Sequence, residues 1–387
     1  MQPMGDGEPP ARKLGDTRGA SGAQVTGEPR SPASAAGQGD TPHMLSPSRY
    51  LACLYSPAPK QAVLERLCEI ENEIASSLRP GIDHHVAHAR LQWWQEECER
   101  CVQGRPVHPL TRELVKAYGA PTAGEPSPLA GVSGFVDTAV WDLASATFET
   151  RKELTAYCER WAAAMFETAA AQVVSAASSA QTTAAAQIVC AASGPQTTAA
   201  AQIVTAASGP QTAAAAQIVS AASGSQTAAA AQAVSAASSA QTTNAPRAAS
   251  RWRTLGAAVR EIELLGDLAR EAHAGRVRIP LDELERAGVE VKSLAEPPWP
   301  APLASLLRER HEALRAIVGQ SLVAVGREEQ PSFRGLLVWA ALAWRQSARV
   351  QRALPNIILP RRYHALADGW QAWRAARRAA AGNLRLS

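Results

Sequence analysis

Between Glu167 and Arg247 the chain carries no charged residue. A segment built from Ala, Ser, Thr, Gln, Val and Ile has no large side chain with which to fill a core. The fold must therefore come from the sequence on either side. Within the segment a 15-residue unit recurs, with Gln172, Gln187, Gln202, Gln217 and Gln232 in register and a second series at Gln181, Gln196, Gln211, Gln226 and Gln241. Alanine favours helix, whereas Gly194-Pro195 and Gly209-Pro210 interrupt it. A fixed period can mark a solenoid. The composition fits a low-complexity insertion over residues 169–246 better, with short, weakly packed helices or disorder and no chemistry.

Residues 1–45 are rich in Gly, Pro, Ser and Ala. They cannot bury enough apolar surface to offset the entropy of ordering and are expected to be disordered, with Met44 a candidate start. Beyond them the apolar spacing is helical. Val63, Leu67, Ile70, Ile74 and Leu78 share one face of a helix expected over 59–78. Further helices are expected over 86–103, from Thr111 as an N-cap, and over 137–147 and 149–168. After the insertion they follow over 247–274, 282–288, 302–326, 331–349 and 361–381. No alternating strand pattern occurs. The expected class is all-α, a single helical domain whose halves, 46–168 and 247–387, flank the insertion. Leu336–Trp344 is too short to span a bilayer and reads as a buried helix. Trp339, Trp344, Trp370 and Trp373 read as packing residues.

A net charge of +4 is too mild for nucleic acid. Arg361, Arg362 and the run Arg374 to Arg378 offer a weak attraction to anionic lipid. Six cysteines are thinly spread and residues 1–45 have no apolar leader core. The expected setting is cytoplasmic, with peripheral contact at the inner face of the membrane as an added option. His84 and His88 stand at i, i+4 without further ligands and read as surface histidines. Cys98 and Cys101 lie within a helix without a second pair, which argues against zinc. His108, between prolines, reads as positioning a loop.

The chemistry is concentrated in Gly266-Asp267-Leu268-Ala269-Arg270-Glu271, followed by Gly275-Arg276-Val277-Arg278-Ile279-Pro280. Glu263, Asp267 and Glu271 fall on one helical stripe, where like charges repel unless a cation or an arginine offsets them. Two readings stand level: a divalent-cation site, or an exposed acidic face relieved by Arg260 and Arg270.

This stretch resembles the second acidic motif of the squalene/phytoene synthase family. Four other segments resemble that family in the same order. They are Arg49-Tyr50-Leu51 through Ile74, similar to the opening helix; Arg90-Leu91-Gln92-Trp93-Trp94 with Gly104-Arg105-Pro106-Val107-His108-Pro109; Trp141-Asp142-Leu143 with Glu153-Leu154-Thr155-Ala156-Tyr157-Cys158; and Trp370 to Ala376. The resemblance implies an isoprenoid-synthase-like helical fold and a prenyl diphosphate or related isoprenoid lipid as ligand. It also implies Mg²⁺ held between two acidic motifs while diphosphate leaves. Carried over residue by residue, Asp267, Glu271 and Glu263 would hold metal, Arg276 and Asp142 would bind substrate, and Tyr157 would donate a proton or hydrogen bond.

Departures from the family pattern weigh against turnover. The positions of the first acidic motif, counted from Ile70, hold Ala75 and Arg79. Glu65, Glu69 and Glu73 form a stripe about a quarter turn away and read as a solvated face. Gly266, Arg260 and Arg278 replace the family's residues, and Trp161 stands where a small-residue face is usual. Three functions follow. The favoured one is a family member that binds a prenyl diphosphate or similar lipid with degenerate or absent head-to-head condensing activity. The second is an active Mg²⁺-dependent prenyltransferase. The third is an assembly or interaction protein with a protein partner, since the opening segment resembles the branch that includes a respiratory complex I assembly factor.

Overall fold

The computed structural model describes residues 46–79, 81–118, 127–171, 250–355 and 365–386. The expectations for residues 1–45, for most of the insertion, 172–246, and for Arg361 and Arg362 lie outside the described residues. Every regular element among those described is helical. Helix α1 is Pro47–Tyr55 and α2 is Ala58–Ser76. The one opening helix that the family resemblance implied over Arg49–Ile74 is thus two, while the helix placed by spacing over 59–78 lies close to α2. Ser56 is extended, at φ −69° and ψ 148°, because the residue before a proline is pushed out of the helical region. Helix α3, His84–Val102, is capped by Asp83, whose carboxylate accepts from the backbone N–H groups of His85 at 2.8 Å and Val86 at 3.3 Å.

Helix α4 is Pro109–Tyr118. Thr111 therefore sits inside it and does not cap it; its hydroxyl serves Glu97 and the His108 carbonyl. A 3₁₀ turn, Ala130–Ser133, leads into α5, Gly134–Leu143. Helix α6, Arg151–Ala162, continues through a π-helical turn, Ala163–Glu167. After the insertion come α7 over residues 250–266, α8 (Leu268–His273) and α9 (Leu281–Arg286). The last are α10 (Ala301–Ala324), α11 (Arg334–Ala353) and α12 (Ala365–Ala380).

Helix α11 is the spine of the core. Residues Gly335 to Ala343 are all buried, and α1, α10 and α12 pack against it. Gly335 permits the closest of these approaches, since a Cβ there would stand 1.8 Å from Ser56 Oγ and 2.6 Å from the Ala52 carbonyl. Gly256 does the same where α7 meets the π turn: a Cβ would lie 2.8 Å from both Ala162 Cβ and Phe166 Cγ. The two halves of the sequence thus share one apolar core, which runs from Leu51 to Leu384.

The five described cysteines are buried and unbridged. No helix among the described residues is long and apolar enough to cross a membrane. Trp339 is buried, but Trp370 and Trp373 are 55% and 37% exposed; the packing role expected of that pair does not hold.

Candidate functional site

Glycine at 275 sets up the acidic stretch. Helix α7 ends at a turn on Asp267, and α8 ends with Gly275 at φ +78°. A side chain would be strained there, and Gly is free to adopt it. The N–H of Arg276 bonds to the Glu271 carbonyl at 2.9 Å and that of Gly275 to the Ala272 carbonyl at 2.9 Å, the paired bonds of a Schellman ending. The chain reverses, and the side chains of Arg276 and Arg278 fold back onto Glu271.

Glu271 is gripped by both. Arg276 Nε and Nη2 donate at 2.8 and 3.2 Å, and Arg278 Nε and Nη2 at 3.1 and 2.9 Å. Burial works against the Glu271 charge, but the hydrogen bond from Arg276 and the charges of Arg278 and Arg276 outweigh it and hold the carboxyl at about 2. Arg278, only 3% exposed, also donates to Asp142 Oδ1 at 2.7 Å. The Tyr157 hydroxyl donates to the same carboxylate at 3.1–3.2 Å. Burial, with Asp142 adding to it against Arg260 and Arg278, pushes the Tyr157 phenol up to about 12. One line of polar contacts thus joins α5, α6, α8 and the loop after it.

A second group lies deeper. Arg49 on α1 pairs with Glu71 on α2, at 2.5 and 3.1 Å, and lies 3.6 Å from Glu263 on α7. Arg260 is 3.9 Å from Glu71, 3.7 Å from Glu263 and 3.5 Å from the Tyr157 oxygen. Two indoles complete the set: Trp161 Nε1 donates to Glu71 at 2.7 Å and Trp339 Nε1 to Glu263 at 3.0 Å. Burial opposes the charges on Arg49 and Arg260, yet their anionic neighbours raise both guanidiniums above the ordinary range. Arg49 lies 5.7 and 5.4 Å from the Trp161 and Trp339 ring centres, and Arg260 lies 5.1 Å from Trp161. The π turn tucks Phe166 into the same cluster, 5.2 Å from Trp339. The interior here is filled by Trp161, Phe166 and Trp339, all fully buried.

Glu71 and Arg49 were missed as site residues in the sequence. Glu71 lies one turn ahead of Ala75 on α2, Arg79 lies beyond the end of that helix, and both Ala75 and Arg79 are exposed. The carboxylate facing the second acidic stretch is therefore Glu71. Glu65, Glu69 and Glu73 lie off this site; Glu65 accepts from Gln61 and Glu69 pairs with Arg66. The exposure expected in one reading of Glu263, Asp267 and Glu271 is corrected, because Glu263 and Glu271 are buried, while the relief by arginine holds: Arg260 lies beside Glu263 and Arg270 pairs with Asp267.

This donor set does not fit Mg²⁺. That ion takes near-octahedral oxygen ligands and keeps several waters. Here each of the five carboxylates is committed to arginine: Glu71 to Arg49, Glu263 to Arg49 and Arg260, Glu271 to Arg276 and Arg278, Asp142 to Arg278, and Asp267 to Arg270 at 2.7 Å. Among the described residues no group of three or more His, Cys, Asp or Glu side chains is placed to hold a metal ion.

The family model described as squalene/phytoene synthase matches residues 45–368. The chain belongs to the squalene/phytoene synthase family. No curated protein matches it. Among solved structures, a dehydrosqualene synthase in complex with ligand is similar over 86% of this chain and 90% of its own, with a TM-score of 0.52 and 16% identity. At that identity the likeness speaks for the fold, and it agrees with the all-α class.

Other motifs in this squalene/phytoene synthase family chain are structural. Glu97, fully buried, accepts from the backbone N–H groups of Val107 and His108 at 2.8 Å each, and so pins the loop before α4. His108 packs against Trp94 at 4.8 Å. His84 and His88 are exposed, their Nε2 atoms 3.1 Å apart. Cys98 and Cys101 lie buried in α3, and burial pushes both thiols up to about 12. A recess lined by Ser56, Lys60, Leu64 and Phe333 measures about 10 Å³, room for about one water and far from the bulk of a prenyl chain.

Proposed function

We propose that this squalene/phytoene synthase family protein does not join prenyl diphosphates and uses the family's fold as a binding and interaction scaffold. One observation carries the reading: four acidic side chains of the site, Glu71, Glu263, Glu271 and Asp142, are held by largely buried arginines of the same chain, and Asp267 pairs with the exposed Arg270. A carboxylate whose lone pairs accept two guanidiniums must lose those bonds before it can ligate a cation, and buried pairs are costly to break. The aromatic fill at Trp161, Phe166 and Trp339 supports the same reading, because a head-to-head condensation needs a long apolar cavity in that interior.

The test is direct. Purified protein is incubated with farnesyl or geranylgeranyl diphosphate and Mg²⁺, and extracts are searched for C30 and C40 hydrocarbon. None is expected. Product that disappears in Asp267→Ala would overturn the proposal in favour of an active Mg²⁺-dependent transferase.

Binding without turnover is supported by Arg276, whose side chain stays 29% exposed at the mouth of the polar line. There it could exchange Glu271 for a phosphate oxygen, a bidentate partner of the same geometry. A non-hydrolysable prenyl diphosphate analogue should then raise the melting temperature of the wild type and not of Arg276→Ala. Were neither protein to respond, recognition of a protein partner would become the better account of the scaffold.

A further inference from the structure

The C-terminal helix α12 has two unlike faces. Its inner face, Ala372, Ala375, Ala376 and Ala379, is buried, and α12 packs on α11. Its outer face carries Leu366, 92% exposed, then Trp370 and Trp373. These lie at i, i+4, i+7, one stripe of a helix. The two indoles stack on each other, 4.7 Å apart at 24°. Exposed apolar residues scattered singly need no explanation, but a contiguous aromatic stripe does.

The charges around that stripe have one sign. Arg374, Arg377 and Arg378 are exposed on the same helix, and the Arg377 guanidinium lies 4.9 Å from the Trp373 ring centre. The only acidic residue of α12, Asp368, is buried and accepts from Arg349 of α11 at 2.7 Å. Arg345 and Arg352 add to the cluster from α11. Burial, and then the charges of Arg349, Arg374 and Arg352, push the Arg345 guanidinium below its ordinary range in spite of Asp368. Its Nε is buried without a hydrogen-bond partner. Six arginines against one carboxylate is an arrangement that an anionic surface would relieve.

We infer that α12 docks this protein on an anionic phospholipid bilayer, with Leu366, Trp370 and Trp373 entering the headgroup–acyl boundary and the arginines contacting phosphates. Indoles favour that boundary because one edge is polar and the body apolar. An in-plane helix with apolar residues on one side and arginines beside them is the form that lies on membranes. Single-stranded nucleic acid fits less well. Its bases need open aromatic faces, here partly taken up by the indole stack, and an aliphatic Leu366 adds nothing to base stacking.

Full-length protein is mixed with vesicles of phosphatidylcholine alone, or with about a third phosphatidylglycerol, and floated on a density gradient. Binding is expected on the anionic vesicles, at least about tenfold stronger than on the zwitterionic ones. Arg374→Gln/Arg377→Gln/Arg378→Gln should weaken it about a hundredfold, at roughly a factor of five per arginine near the surface. Trp370→Ser/Trp373→Ser should weaken it at least tenfold while the circular dichroism spectrum stays helical, and Trp370→Ser alone, at the more exposed of the two sites, should weaken it with the melt unchanged. Added salt should release the wild type, by screening, whether or not a variant folds. Equal binding to both vesicle types, binding that salt or the folded variants leave intact, or retention by an oligonucleotide with none by vesicles would overturn the inference.

Discussion

Replacing Arg278 removes one cation shared by two anions, of which Glu271 keeps Arg276 and Asp142 keeps only the Tyr157 hydroxyl. Glu271 and Asp142 both depend on it, and a buried pair broken from one side typically costs 3–5 kcal/mol. Arg278→Ala is expected to lose about that much in urea unfolding; a loss below about 1 kcal/mol would mean that water reaches both carboxylates. The same contacts give a pH dependence. Glu271 sits at about 2, against its ordinary 4.5. Its contribution is whole above pH 4.5 and is lost as pH falls through about 2. His311 acts earlier. It is buried, its Nδ1 shares a hydrogen with Ser347 Oγ at 2.9 Å, and burial, then Arg315 and Arg310, lower it from 6.5 to about 4. The unfolded chain takes up that proton first, so stability declines as pH falls from about 6.5 to about 4. Each window is worth on the order of 3 kcal/mol. Urea midpoints measured between about pH 7 and 3 should show the His311 decline in the wild type and not in His311→Phe; an equal decline in both would assign it elsewhere.

At the level of elements, the critical contact is α1 against α11. Gly335→Ala would drive a methyl group to within 1.8 Å of Ser56 Oγ and 2.6 Å of a backbone oxygen. The serine can rotate, but the carbonyl cannot leave without shifting α1. A cost of about 1–3 kcal/mol is expected, and a melting temperature equal to wild type would show that α1 moves freely. This contact also shows what was legible beforehand. Helical spacing placed most elements, since periodicity is local. It placed one from about residue 59, close to the start of α2, but did not show the short α1 before Pro57, which the family resemblance ran together with α2. Nor did it show Glu71 facing the site. The family register led to Ala75 and Arg79, and the carboxylate that faces Glu263 lies one turn earlier. Arg49 was beyond reach for a different reason: its partners are Glu71, 22 positions on, and Glu263, much further along, and no periodic signal links such distances. Arg278 was visible as a departure from the family, but its bonds to Asp142 and Glu271 depend on the chain reversal at Gly275.

For the whole molecule, the paired interior predicts indifference to metal. Removing divalent ions with a chelator, or adding Mg²⁺ in the millimolar range, should leave the melting temperature within about 1 °C; a ligand that binds only the folded state would raise it in proportion to the logarithm of its concentration. A clear rise with Mg²⁺ would mean that the carboxylates can exchange arginine for cation. The arginines at 49, 260, 276 and 278 also bear on how such an interior behaves in a cell. Counterions written into a polypeptide are made in fixed ratio to the carboxylates they neutralise, arrive with them from the ribosome and cannot be diluted or chelated away. A fold stabilised in this way would draw no ion from its surroundings, so its folding would not depend on the supply of divalent metal.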